Sequence, residues 1–386
     1  MNDLCIINIG CILSGDLASP LIADVDTVLV KDGLISRIGT RGQIAVPEGV
    51  KVIDALGSTL APGLIDSHVH IVFGDWTPRQ NAFGWIESYM QGGITSMMSA
   101  SEVHLPGRPV DRDGLKALAI TANRCYTNYR PANVKIHAGS LILDSCLSEA
   151  DIEEVAQKGV WLAKFGFGRF ERNTDAAPLV RKARELGFVV MSHSGGASIP
   201  GSSPITADDL LALNPSVAGH VNGGTTALPQ DDLKRLVRDG SCYLQISQAG
   251  NIRSALKVIE YAAQYGKLDK VVMSSDTPTG TGVIPLGTLK SVVEMATLGG
   301  LSAAKTWAMA TGNNADLLRQ NTGRIALGRE ADLVVIDAPC GSCFSTALDA
   351  MNGGDLPGIS AVIIDGQVMA GRSRNTPLAG RLCKIG

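Results

Sequence analysis

Histidine and large aromatic rings are scarce in this chain: six histidines and 4% aromatic residues stand beside 44 glycines in 386 positions. So few rings leave little stacking surface for nucleic-acid bases, while abundant glycine suits close-packed βα units with short turns. Charge of one sign is also missing. With 34 Lys and Arg against 37 Asp and Glu, the net charge of −3 gives no general attraction to phosphate backbones or anionic lipid. No apolar run reaches the roughly 18 residues of a membrane span, and Met1-Asn2-Asp3-Leu4-Cys5 lacks the basic start of a secretory signal. These absences predict a cytoplasmic protein whose partner is a small molecule, with no nucleic acid and no membrane involved. The eight cysteines (Cys5, Cys11, Cys125, Cys146, Cys242, Cys340, Cys343 and Cys383) are spread over a chain long enough to need no staples, so reduced thiols are expected. Cys340-Gly341-Ser342-Cys343 has no second C-x-x-C to complete a four-thiol site. Two loop thiols are the simpler reading, with metal or redox chemistry as the other.

What is present is an ordinary globular composition, 45% hydrophobic and 18% charged. The length fits one large α/β barrel with an accessory domain, or two to three smaller units. Residues 1–61 read as short strands broken by turns, including a hairpin at Asp32-Gly33, with a turn near Ala18 to Leu21. From Gly63 the pattern becomes strand, loop, helix, repeated. Strands are predicted over Gly63–His68, Thr95–Ala100, Val134–Leu141, Trp161–Phe165, Phe188–Ser192, Ser216–Gly219, Cys242–Ile246 and Lys270–Ser274. Eight buried strands with crossovers predict an α/β fold, a (β/α)8 TIM-like barrel; an open doubly wound sheet is the competing arrangement. After residue 321 the chain returns to strands, and Asp365-Gly366 repeats the hairpin chemistry of the front. Neither end can bury a sheet alone. The expected organisation is therefore a small β-sandwich-like domain composed of 1–61 and 322–386 beside a barrel of 62–321.

The run Ala61-Pro62-Gly63-Leu64-Ile65-Asp66-Ser67-His68-Val69-His70 ends in two histidines on one face of a strand, able to offer nitrogens to one point. Two further histidines, His193 and His220, follow predicted barrel strands, where a barrel's reactive centre is built. Asp276 ends the eighth strand. Because Thr277-Pro278 comes next, a helix N-cap is its alternative role. Lys164 lies inside the apolar run Val160-Trp161-Leu162-Ala163-Lys164-Phe165, where an amine is costly unless its charge is removed or matched. Carbon dioxide adding to the neutral amine would give a carbamate able to bridge two cations.

The run from Gly63 to His70, together with Lys164, His193, His220, Asp276 and the tail Gly323-Arg324-Ile325-Ala326-Leu327-Gly328-Arg329-Glu330-Ala331-Asp332-Leu333-Val334-Val335-Ile336-Asp337, resembles the amidohydrolase superfamily of metal-dependent hydrolases. The resemblance covers nearly the whole chain. It implies a barrel flanked by a β domain from both termini, and two divalent metal ions, Zn and/or Fe with Mn as a further candidate. His68, His70 and Asp276 would bind the more buried ion and His193 and His220 the more exposed one, with N-carboxylated Lys164 bridging them. It also implies a homo-oligomer, dimer or tetramer. One departure stands out: after Ala310-Thr311-Gly312-Asn313 the family commonly has Pro-Ala, whereas this chain has Asn314-Ala315.

Within the superfamily the chain looks closest to the enzymes that open a cyclic enamide, converting 6-oxo-1,4,5,6-tetrahydronicotinate to 2-formylglutarate and ammonia in nicotinate degradation. The implied chemistry is hydrolysis of a lactam by a metal-bridging hydroxide, with Asp276 as the catalytic proton carrier. A substrate bearing a carboxylate needs a cation or donors nearby, and Arg79, His104, Arg169 and Gln245 lie in suitable stretches. Other cyclic amidases of dihydropyrimidinase, hydantoinase or imidazolonepropionase type, and a mononuclear deaminase, are alternatives within the enzyme class. A structural or regulatory barrel is the alternative outside it.

Overall fold

Eight short apolar segments, each buried along nearly its whole length, form a ring of parallel strands in the computed structural model, which describes residues 3–71, 84–103, 107–199, 202–278 and 282–386. The strands are Leu64–Val69, Ile94–Ser99, a third broken into Lys135–His137 and Ser140–Ile142, then Leu162–Phe165, Val189–Ser192, Val217–Ala218, Tyr243–Ser247 and Val271–Ser274. Continuous apolar runs rather than alternation are what a parallel sheet covered on both faces requires. Every successive pair is parallel. The third strand breaks at Ala138-Gly139, where Gly139 takes φ 93°. The ring closes between the eighth and first strands: the Asp276 amide donates to the His68 carbonyl at 2.9 Å and the His70 amide to the Thr277 carbonyl at 3.0 Å.

Helices including Arg112–Asn128, Glu149–Gln157, Ala177–Glu185, Gln230–Asp239, Ile252–Gln264 and Gly287–Leu298 surround the strands. In Gln230–Asp239 only Leu233, Leu236 and Val237 are buried, a stripe at helical spacing with charged residues on the other face. No helix among the described residues is long and apolar enough to cross a membrane.

Both chain ends contribute to two further sheets. One has the strand order Lys384–Ile385, Lys51–Asp54, Leu4–Ile7, Thr27–Lys31, Leu34–Gly39; the other runs Gln367–Ala370, Gly358–Ile364, Leu333–Asp337, Thr59–Pro62, Cys11–Leu13, Leu21–Ile22. The period of two along Leu333–Asp337 shows how the layers stack. Leu333 and Val335 pack into a core with Leu4, Ile6, Val28 and Val30 between the two sheets, while Val334 and Ile336 turn to the barrel side. Two features differ from the sequence reading. The turn expected near Ala18 to Leu21 leads into a strand, Leu21–Ile22, that pairs with Cys11–Leu13, and Ala347–Asn352 forms a short helix between terminal strands.

Candidate metal centre

The side chains that converge at one mouth of the ring are put there by strand ends. Val69 packs into the apolar layer between strands and helices, so its neighbours His68 and His70 turn inward, as a period of two dictates. Asp66 anchors this stretch: its Oδ1 accepts the amides of His68 at 3.2 Å and Ser275 at 2.9 Å, and Oδ2 accepts the Thr288 hydroxyl at 3.2 Å. First and eighth strands are thereby held in register at the mouth. Asp276 and His220 sit at φ 57° and 35°, a region uncommon for residues with a Cβ, which aims both side chains inward from sharp turns. No helix starts at Asp276; the following helix begins at Gly287. Glycine is required beside the histidines. A Cβ on Gly166 would lie 2.4 Å from the Cβ of His193, and one on Gly195 would lie 1.7 Å from the Thr226 carbonyl oxygen.

His68, His70, Lys164, His193, His220 and Asp276 line a single cavity of about 120 Å³, together with Phe167, Ser198, Gly223, Gly224 and Thr226. The Asp276 Oδ1 lies 3.2 Å from Nε2 of His68 and 3.3 Å from Nε2 of His70. These three residues place their ligand atoms within 4.8 Å of one another and form a group that could hold a metal ion. Across the cavity, Nδ1 of His193 lies 3.1 Å from Nε2 of His220.

The donor set is chemically suited to cations. Burial pushes the His193 imidazole down to about 4 and drives His68 and His220 well below the ordinary histidine value, so all three carry lone pairs at neutral pH. Burial alone would raise the Asp276 carboxyl, yet the surrounding imidazoles of His68, His70 and His220 hold it well below the usual range. Three of the four rings are oriented from behind. His68 Nδ1 donates to Oε1 of Gln245 at 2.7 Å, His70 Nδ1 meets the Ser101 hydroxyl at 3.1 Å, and His193 Nε2 donates to the Gly196 carbonyl at 2.9 Å. Such partners select the tautomer that frees the opposite nitrogen as a ligand. The Nδ1 of His220 is buried without a hydrogen-bond partner among the described residues. Lys164 is fully buried with its Nζ 3.1 Å from Sδ of Met191; desolvation lowers it to about 8 despite the nearby Asp276 carboxylate. An amine with that value is partly neutral near physiological pH, as carbamate formation needs.

The expected substrate-binding residues fare differently. Gln245 is completely buried; besides its bonds to His68 and the His220 amide, its Nε2 donates to the carbonyl and hydroxyl oxygens of Ser67 at 3.1 and 2.9 Å. Its amide is engaged on one side by His68 and the His220 backbone and on the other by Ser67, and it is not among the residues that line the cavity. The sequence signal was a polar side chain between Leu244 and Ile246 in a core strand. Arg169 points elsewhere: Nε and Nη2 grip Asp144 at 3.0 and 2.9 Å, and the side chain is 56% exposed. Arg79 and His104 lie outside the described residues. His137, half-buried with its ring edge-on to Trp161, is not among the residues that line the cavity.

A sequence profile of the amidohydrolase family matches residues 135–369. Enamidase from Eubacterium barkeri is 45% identical over 386 residues, all of both chains. An imidazolonepropionase from Salinispora tropica is 25% identical over 379 residues, covering 88% of this chain and 93% of that protein. Among solved structures, a crystal structure of enamidase superposes with a TM-score of 0.96 at 44% identity over the full length of both chains. A putative prolidase from Bifidobacterium longum shares the fold alone, with a TM-score of 0.64 at 16% identity over 97% of this chain and 95% of that one. Matched by the profile over more than half its length and by a full-length relative at 45% identity, the chain belongs to the amidohydrolase family.

Proposed function

We propose that the chain is a metal-dependent cyclic-amide hydrolase of enamidase type, opening 6-oxo-1,4,5,6-tetrahydronicotinate to 2-formylglutarate with release of ammonia. The observation that carries this reading is the convergence of six donor side chains from five strands on one cavity. The full-length likeness to enamidase supports the choice of ring.

His68, His70 and Asp276 would hold one divalent cation and His193 and His220 a second, with Lys164 in its N-carboxylated form between them. Zn and Fe, with Mn, suit imidazole and carboxylate ligands. When bound, such a pair supplies an activated water and polarises an amide carbonyl. Asp276, ionised among the imidazoles, accepts the proton of the attacking water and returns it to the ring nitrogen as the ring C–N bond breaks. The released enamine tautomerises to an imine, which takes up a second water and loses ammonia to leave the aldehyde. Two waters are consumed for each ring opened. Phe167, Gly223 and Gly224 wall a space suited to one small ring.

The test is incubation of the metal-loaded protein with 6-oxo-1,4,5,6-tetrahydronicotinate, following ammonia and a hydrazine-trapped aldehyde. Stoichiometric release of both is expected. Ring consumption without ammonia would reject the enamide reading in favour of ordinary lactam opening.

A further inference from the structure

Ser198 and Thr226 line the candidate cavity with hydroxyls that the protein itself does not use. The charged and imidazole groups among the described lining residues all belong to the donor set, and Phe167, Gly223 and Gly224 bring no side-chain donor. What remains of the lining is these hydroxyls, and neither makes a hydrogen bond among the described residues.

Their place is fixed by the loops that carry His193 and His220. The Gly196 amide donates to the Thr226 carbonyl at 3.0 Å, and the Gly196 carbonyl accepts Nε2 of His193 at 2.9 Å. The loop after the sixth strand is thereby stitched to the loop after the fifth, with Thr226 tied through Gly196 to a donor histidine. The Thr226 hydroxyl rests beside Gly223, where a Cβ would come within 2.5 Å of Oγ1. The Gly223 amide in turn closes a turn on the His220 carbonyl at 2.6 Å. A bare glycine leaves that space to the hydroxyl. Burial falls outward along these loops: His193 and His220 are buried, Thr226 is half-buried and Ser198 is exposed. The hydroxyls therefore lie on the solvent side of the donor set.

In the ring proposed above, the carboxylate is borne by the carbon opposite the amide carbonyl. With the carbonyl turned toward His193 and His220, the carboxylate falls a ring's width away, outside the donor set and toward the rim where the unused hydroxyls are. A carboxylate accepts a hydrogen bond from each of two hydroxyls, and bonds to an ionised acceptor are the stronger kind.

We propose that Thr226, together with Ser198, receives the ring carboxylate of the substrate, and that these hydroxyls set a preference for anionic lactams over neutral ones. This rests on the cyclic-amide reading, and its test reads binding without requiring turnover.

Binding of 6-oxopiperidine-3-carboxylate and of uncharged piperidin-2-one to the metal-loaded protein is measured by calorimetry for the native chain, Thr226→Val, Thr226→Ser, Ser198→Ala and Arg79→Gln. The native chain should favour the acid by about 100-fold, and Thr226→Val and Ser198→Ala should each lose about 10-fold of that preference while piperidin-2-one affinity stays within about 2-fold. Thr226→Ser keeps a hydroxyl and should keep the native ratio. A merely structural Thr226 would weaken both ligands together in Thr226→Val, or lower the melting temperature and leave the ratio intact; either result overturns the proposal. So does an unchanged ratio in Ser198→Ala. Loss of the preference in Arg79→Gln with its retention in Thr226→Val also overturns it, moving the receptor to that arginine. If Thr226→Val fails to fold, Ser198→Ala, at an exposed position, decides: an unchanged ratio there rejects the pair. Failure of the native chain to hydrolyse the enamide would reject the activity while leaving the binding ratio readable.

Discussion

The Nδ1 of His68 lies 2.7 Å from Oε1 of Gln245, and that same oxygen accepts the backbone amide of His220 at 3.2 Å. One buried amide on the seventh strand therefore orients a histidine from each half of the centre. Replacing Gln245 with Leu removes the acceptor and frees the His68 tautomer. Metal affinity should fall about 10- to 100-fold, read by competition with a chromogenic chelator. Gln245→Glu should lose affinity too, because its second oxygen would face the Ser67 carbonyl in place of a donor. Unchanged affinity in both variants would remove Gln245 from the centre's support.

Asp276→Asn isolates proton transfer from folding. Asparagine tolerates the φ of 57° that Asp276 adopts, and its carbonyl oxygen can still face His68 and His70. With metal supplied in excess, kcat should drop by about 10²- to 10⁴-fold while the melting temperature moves little. A kcat within a factor of three of the native value would end the assignment of Asp276 as proton carrier.

How much could be read before the structure follows from the physics of each signal. Barrel strands were legible because a parallel sheet buried on both faces writes itself as uninterrupted apolar runs, and a lysine or histidine at the end of such a run stands out. The terminal sheets were only partly legible. Their strands are short, and pairings such as Leu333–Asp337 with Thr59–Pro62 join residues more than 270 positions apart, as Leu333 with Pro62. The partners of Gln245 and Arg169 were not legible for one reason: a polar residue near a strand end can face the cavity, the strand behind it or a neighbouring loop, and only packing decides.

Asn314 tests the one departure from the family's usual sequence. Its Nδ2 donates to the carbonyls of Ile65 at 2.7 Å and Met273 at 2.9 Å, tying the helix Gly312–Leu318 to the first and eighth strands. Asn314→Ala should cost about 1–3 kcal/mol by leaving buried carbonyls short of a donor, measured by urea unfolding. Asn314→Pro, the residue common in the family, loses the same two bonds and should be destabilised by a similar amount. A neutral effect in both would mean the strand closure does not depend on this clasp.

Glu102 gives a pH dependence of defined sign. Burial pushes its carboxyl up to about 7, against the amides of Gly139 and Ser140 that donate to Oε1 at 2.6 and 3.2 Å. The folded state holds this proton over a window, from about 4.5 to about 7, in which the unfolded chain has released it. Glu102 thus contributes stability that is full below the unfolded value and is lost as pH rises through about 7, on the order of 3 kcal/mol. His137 acts in the opposite sense: lowered by burial to about 4, it loses stability as pH falls from about 6.5 through 4. Glu102→Gln keeps an acceptor for the two amides and removes the titration. Its melting temperature should match the native value near pH 4.5 and exceed it at pH 8; parallel curves across that range would refute the buried-proton account.

Lys164 is the residue through which the proposed second ion can be tested. Its amine, lowered to about 8 by burial, is the form that adds carbon dioxide only when neutral, so carbamate formation should strengthen as pH rises through that value. Apo protein reconstituted with zinc and bicarbonate at pH 8.5 should reach two ions per chain by elemental analysis. Under carbon dioxide-free buffer, or in Lys164→Met at any bicarbonate concentration, occupancy should stop at one, held by His68, His70 and Asp276, because the bridge between the two halves is gone. Methionine fits the apolar surroundings of Phe165 and Met191 without burying a charge, so the variant should keep its fold. Two ions retained in Lys164→Met would show that His193 and His220 hold the second cation without a bridging carbamate.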